Sequence, residues 1–284
     1  MPSECAVSYA PGAEYGAGAI DLYDPAFASV GAAAPLRGFE WSYTLGTASL
    51  TGVTRKAREA TLDCTCSAGS AEAMQRAFER DVMLGTPGTL SVTAGGEAWS
   101  QRAYVPKAEL SASHADGGAQ ASLTVVLLDG SWHSEGRMEL MRASASSREW
   151  LNLPANAPYD LGASLGSAQL DTGWWAPCPV RLTLWGPASR PSLRIGANTY
   201  AFDVVVPDGC RLVADGTGAR KSITLVDQNG DETDRFACGV RSTGLGSGSY
   251  CFQPIAPGPQ EASWDGSFGV TVEWWRERGG LPWT

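Results

Sequence analysis

The chain has 284 residues, 34 of them Gly and 17 Pro; 43% are hydrophobic, only 18% are charged, and the formal net charge is −9. This hydrophobic content excludes a disordered chain, and the scattered basic residues on an acidic background exclude a phosphate-binding surface. No apolar run approaches the roughly 18 residues a membrane-spanning helix needs. The length suggests two domains, and the Gly and Pro punctuation suggests short strands and turns.

Met1-Pro2-Ser3-Glu4-Cys5 lacks a basic segment followed by an apolar one, so no secretory signal is expected there. The seven cysteines are Cys5, Cys64, Cys66, Cys178, Cys210, Cys238 and Cys251. Their odd number and wide spacing suit free thiols in a reducing compartment. Leu36 to Leu45 reads as the first strand, and Ala60 to Cys66 as a second with alternating apolar and polar positions. One helix is expected over 71–84, capped by Ser70 and stopped by Gly85, with Ala71, Met74, Phe78 and Val82 as its apolar stripe. Thr89 to Thr93 and Ala98 to Val105 follow as strands. Ala108 to Ala112 and Ala121 to Leu127 then form a hairpin around Asp116-Gly117-Gly118.

Residues 134–158 read as the crossing between two domains, 1–140 and 141–284. The second half has no helical pattern. Strands are expected at Val180 to Trp185, Leu193 to Ile195, Tyr200 to Val206, Arg211 to Ala214, Ser222 to Val226 and Phe268 to Trp275, with Asn229-Gly230 as a hairpin turn. In Phe268 to Trp275 the even positions share one face. The fold class is mainly β, and the second half suits a sandwich or jelly roll.

No catalytic, metal or cofactor set emerges. The histidines are His114, beside a turn, and His133, which has no partner motif. Cys64 and Cys66 share a strand face without a second ligand pair. Asp227, Asn229 and Asp231 start like a calcium loop, but Gly230 comes too early and Cys238 stands where the bidentate Glu belongs. Gly244 to Gly248 is glycine-rich with no helix after it, and reads as a flexible loop. The eleven Trp are the unusual feature. Trp174, Trp175, Trp264 and Trp275 are the candidate contacts for a carbohydrate or a partner protein, since exposed aromatics stack on sugars and anchor interfaces. In each adjacent pair, Trp174-Trp175 and Trp274-Trp275, opposite facing is expected if the chain is extended, with one ring in the core and its neighbour outside.

An ordered series of segments resembles the distal tail proteins of siphophages. It runs through Leu36 to Tyr43, the 71–84 helix, Gly85 to Leu90, the long hairpin and Leu128 to Trp132. It continues through Leu184 to Pro187, Pro191 to Gly196, Lys221 to Gly230, Phe252 to Gly258 and Leu281 to Thr284. The resemblance implies an N-terminal β-sandwich or split barrel like that of tail-tube proteins, with one helix, and a C-terminal galectin-like or jelly-roll sandwich. It also implies a homohexameric ring at the distal tail tip of the virion, assembled in the cytoplasm of the host bacterium. The ring would join the tail tube protein to the tail-tip hub and let DNA pass without specific binding. The outer domain would hold a receptor-binding protein or a host glycan, and no catalytic residue is carried over. The seven cysteines and the Trp-rich second half depart from the family pattern. The rival reading is a lectin-like protein acting through the second domain. A glycan hydrolase would need two facing carboxylates, which spacing does not reveal.

Overall fold

The computed structural model describes residues 6–12, 18–22, 33–113, 117–142, 166–218 and 220–282. The chain divides into two compact units. Unit 1 holds the described residues up to Ser134 and those from Glu277 onward, and unit 2 is Glu135–Arg276. The end of the chain, which the sequence reading gives to the second domain, therefore returns to the first.

Unit 1 is an antiparallel sheet with one long helix against it. Its strands are β1 (Ala6–Ala10), β2 (Ile20–Asp21), β5 (Arg58–Ser67), β6 (Gly88–Ala94), β7 (Glu97–Ser113) and β8 (Gly118–Leu127), in the order β2-β1-β6-β7-β8-β5. The start of β9 (Trp132–Leu140) joins β7 where Ser100 stands opposite His133. Period-two burial explains the register. Leu62, Cys64 and Cys66 of β5 point inward, as do Leu123, Val125 and Leu127 of β8. Thr65 breaks the alternation, being buried as well. The expected strands 98–105 and 108–112 are one strand, β7, whose register shifts between Tyr104 and Lys107. Pro106 lies in that shift, where a residue without an N–H leaves no ladder bond missing.

Helix α2 (Ala68–Leu84) starts three residues before the expected position, so Ser70 falls inside its first turn. Ala71, Met74, Ala77 and Phe78 are buried as their spacing requires. Val82 is not: it is 43% exposed, and Asp81 takes the inward position at 0%. The helix ends in a Schellman turn. Gly85 has φ +67°, its N–H donates to Val82 O, and the Thr86 N–H donates to Asp81 O.

The segment 36–45, expected as one strand, is two elements. Pro35 opens a helical turn, α1 (Ala34–Arg37), and β3 (Trp41–Leu45) begins only after Gly38. Arg58 fixes the turn by donating to Pro35 O and Leu36 O, both at 3.2 Å. Strand β4 (Leu50–Arg55), which was not expected, pairs with β3 alone as a separate two-stranded ribbon.

Unit 2 is a sandwich. One antiparallel sheet has the order β18-β17-β16-β11-β20, from β18 (Glu232–Asp234), β17 (Ser222–Val226), β16 (Arg211–Asp215), β11 (Val180–Trp185) and β20 (Gly269–Arg278). The other has the order β10-β19-β13-β14, from β10 (Gly166–Asp171), β19 (Pro259–Trp264), β13 (Ser192–Ile195) and β14 (Asn198–Ala201). Leu182, Leu184, Leu212, Ile223, Val270 and Val272 of the first face Leu170, Leu193, Ile195, Tyr200 and Ala262 of the second in one core. The expected strand 200–206 is broken at Asp203: β14 stops at Ala201, and β15 (Val205–Val206) pairs with β12 (Ala188–Ser189) instead. One 3-10 turn, Phe236–Cys238, occurs in this half. The domain crossing at 134–158 is strand as far as Leu140. Its remainder from residue 143, together with Cys5, His114 and Asp116, lies outside the described residues. Among those described, no helix is long and apolar enough to cross a membrane.

Candidate interaction surfaces

The β3–β4 ribbon is amphipathic across its pairs. Trp41 stands opposite Arg55, Tyr43 opposite Val53 and Leu45 opposite Leu50, which places these side chains on one face. Ser42 opposite Thr54 and Thr44 opposite Gly52 form the other face. Among the described residues nothing covers the apolar face: Tyr43 is 63% exposed, Leu45 70%, Leu50 59% and Val53 49%.

Only the base is tied down. The Trp41 indole N–H donates to Gly130 O at 2.9 Å, and Arg55 lies 5.4 Å over the Trp41 ring. Arg55 also pairs with Glu277 at 2.6 Å. Gly130 has φ +63°, and its turn is held by Asp129, which accepts from the Arg102 guanidinium at 2.6 and 2.9 Å. A second uncovered apolar patch sits at the end of α2, where Met83 is 85% exposed and Leu84 58%.

The four tryptophan candidates separate. Trp264 is 8% exposed and donates its indole N–H to Phe268 O at 3.1 Å, so it belongs to the unit 2 core. Trp275 is 9% exposed under Arg181, whose guanidinium lies 4.8 Å over the ring. Trp274, its neighbour on β20, enters the core, and Gly136 passes so close to it that a Cβ there would overlap the indole. Thus both members of that pair are covered. Trp175 is 76% exposed and lies 5.5 Å from the half-buried Trp174, the two rings tilted by 35°. Of the four candidates, Trp175 and Trp174 alone present an open aromatic surface.

Sequence reasoning did not single out a concavity of about 610 Å³ in unit 2, lined by Asp203, Asp234, Arg235, Phe236, Cys238 and Arg241 among others. Arg241 lies 4.4 Å over one face of Phe236, and Phe252 stacks on Phe236 at 5.8 Å. The ring is thus engaged within the chain rather than free as a stacking platform. Burial pushes the Cys238 thiol above its ordinary value, which disfavours the nucleophilic thiolate.

The other residues weighed from sequence have local roles. Ser100 Oγ and His133 Nε2 lie 3.1 Å apart, as their positions across β7 and β9 require. Asp227 Oδ1 accepts from the N–H groups of Asn229 (2.8 Å) and Asp231 (2.9 Å), which closes the β17–β18 turn. Gly244, Gly246 and Gly248 all have positive φ in successive turns, and the Gly246 N–H donates to Gln253 Oε1. The six described cysteines are unbridged, and burial pushes Cys64 up to about 12.

The two units together define a fold found in phage baseplates. Over 98% of this chain and 100% of the other, it matches a chain of the phage P2 baseplate in its activated conformation with Ca, at a TM-score of 0.54 and 8% identity. The same baseplate with Sr gives the same values. The SPP1 Dit protein, a paradigm of the hub adsorption apparatus in phages infecting Gram-positive hosts, gives a TM-score of 0.42 and 12% identity over 96% of this chain and 99% of its own. That likeness is too weak to bear on the fold. No protein-family model matches the chain, and no curated protein does.

Proposed function

We propose that this chain is a structural subunit of a phage tail tip: a distal tail protein whose copies form a ring, in the virion, between the tail tube and the host-adsorption apparatus. The observation that carries the reading is the fold shared from end to end with a chain of a phage baseplate, 98% of one and 100% of the other. The uncovered ribbon suits a subunit whose surface is completed by neighbours. In this reading unit 1 builds a homohexamer, and DNA crosses its lumen unbound, repelled by a subunit of formal charge −9. Negative-stain imaging of the purified protein with its tail tube protein tests it. A six-fold ring with a central hole is expected; a protein that stays monomeric beside the tube protein overturns the reading.

A contact function for unit 2 rests on Trp175 and Trp174. An exposed aromatic pair suits either a receptor-binding protein or a sugar ring. Binding of host-surface polysaccharide by the purified protein, lost in Trp175→Ala, would select the lectin-like role. Its absence, with retained capture of a tail-tip protein, would select the structural one.

A further inference from the structure

Unit 1 leaves two apolar surfaces of different shape uncovered. One is the ribbon face of Tyr43, Leu45, Leu50 and Val53, continued by Phe39, which is 61% exposed. The other is the last turn of α2, with Val82, Met83 and Leu84. Each is held in place, the ribbon by its base contacts and the helix end by the Gly85 turn. A lone two-stranded ribbon is marginal in water. This one therefore gains from a cover, and none of the described residues provides it.

We propose that the ribbon of one copy lies on the α2 end of a second copy, in a head-to-tail contact. This rests on the reading of the chain as a ring-forming subunit. Taking about 200 Å² for a fully exposed large side chain, the ribbon offers roughly 600 Å² and the helix end roughly 400 Å². Together they reach the ~1,000 Å² that a specific interface needs; neither does so alone. Two ribbons pairing about a two-fold axis would cover each other and leave both helix ends exposed. A head-to-tail contact covers both surfaces at once, and repeated contacts of this kind close into rings. The chemistry is compatible. The last turn of α2 itself carries no basic residue, and Met83 is unbranched and adapts to an uneven surface.

Two variants test the contact: Leu45→Asp on the ribbon and Met83→Asp on the helix. Both positions are at least 70% exposed, so the isolated chains keep their fold, checked by circular dichroism. Sedimentation velocity should show each variant associating roughly 30-fold or more weakly than wild type, since a carboxylate would be stripped of water at the contact. The mixture is the decisive arm. Met83→Asp keeps an intact ribbon and Leu45→Asp an intact helix end, so an equimolar mixture should form heterodimers that grow no further. A ring that survives Leu45→Asp overturns the contact while leaving the ring reading in place. So does a wild type that assembles when the mixture gives no heterodimer, which would mean that the ribbon seats elsewhere. A wild type that never associates overturns both.

Discussion

Removing a single oxygen should show how unit 1 holds its helix. Tyr9 and Asp81 are both 0% exposed, and the Tyr9 hydroxyl donates to Asp81 Oδ2 at 2.7 Å. Asp81 Oδ2 also accepts from the Gly12 N–H at 3.1 Å. The Tyr9 ring packs edge-on against Phe78 at 5.0 Å and fills the space that Gly88 leaves by lacking a Cβ. Tyr9→Phe keeps that packing and deletes only the hydroxyl, which besides bonding Asp81 lies 3.3 Å from Ala103 O and bonds the Gly88 backbone. A bond to a carboxylate contributes about 1.5–3 kcal/mol, and at a site closed to water no solvent molecule replaces it. For a unit of this size, about 2 kcal/mol corresponds to a fall in midpoint of roughly 4–8 °C. Calorimetry measures the shift, and hydrogen exchange in β1 and α2 peptides locates it, with unit 2 peptides unchanged. Burial, and next the hydrogen bond to Asp81, raise the Tyr9 hydroxyl well above its ordinary value of 10.0. The folded value therefore exceeds the unfolded one, so this stabilisation is complete below about pH 10 and lost as the pH rises beyond it. The gap between wild type and Tyr9→Phe should narrow in alkali. A variant within about 0.5 kcal/mol of wild type, or a gap that persists unchanged to about pH 11, would refute the argument.

Other consequences can be measured on the same protein. Trp264→Ala should destabilise unit 2 by about 3–5 kcal/mol as a cavity mutation, whereas Trp175→Ala should stay within about 0.5 kcal/mol; equal losses in thermal denaturation would contradict the assigned burial. At Asp215, burial favours the neutral acid, but Thr217 and the Arg181 guanidinium 2.8 Å away outweigh it and hold the carboxyl below its ordinary 3.8. Its stabilisation is present above about pH 4 and lost as the pH falls through the depressed folded value. Asp215→Asn should therefore flatten the acid limb of the unit 2 midpoint against pH; an unchanged slope would count against this. Burial pushes Cys251 up to about 11 and, as the larger of its causes, Cys64 to about 12. Among the six described cysteines, mass-mapped alkylation at about pH 8 should label half-buried Cys210 and Cys238 first. Early native-state labelling of Cys64 would show that β5 opens locally.

Much of the fold is legible because burial follows period. The core-facing residues of β5, β8, β11 and β20 stand at alternate positions, and the apolar stripe of α2 reads correctly from Ala71 to Phe78. Where the reading departs, a particular contact wins. Val82 lies on the helical stripe, yet Asp81 turns inward because Tyr9, 72 residues earlier in the chain, supplies a hydroxyl for it. Pro35 and the Arg58 bonds turn the start of an expected strand into a helical turn. Asp203 marks the break between β14 and β15, because its N–H donates to Cys238 O across the sheet edge. The sites were harder to read. Trp264 and Trp275 look like Trp175 in sequence; the close approach of Gly166 and Phe268 covers the first, and the Arg181 guanidinium lies over the second. Of the ribbon, β3 falls within the expected strand 36–45, whereas β4 gave no signal because its apolar residues are few and stand beside Gly and Thr; the significance of the ribbon lies in its exposure.

Unit 2 is, in sequence, an insertion within unit 1, and this sets an order of construction. Glu277 anchors the ribbon through Arg55, Arg278 lies over Trp99, and Phe39 and Arg37 close over Gly279 and Gly280. These contacts form only after residues 277–280 are synthesised, when all of unit 2 has already been made. A chain cut short within unit 2 would expose the ribbon without its lock, so such fragments should be poor competitors for places in an assembly. Completion of β20 is thus the step that locks the ribbon to its base.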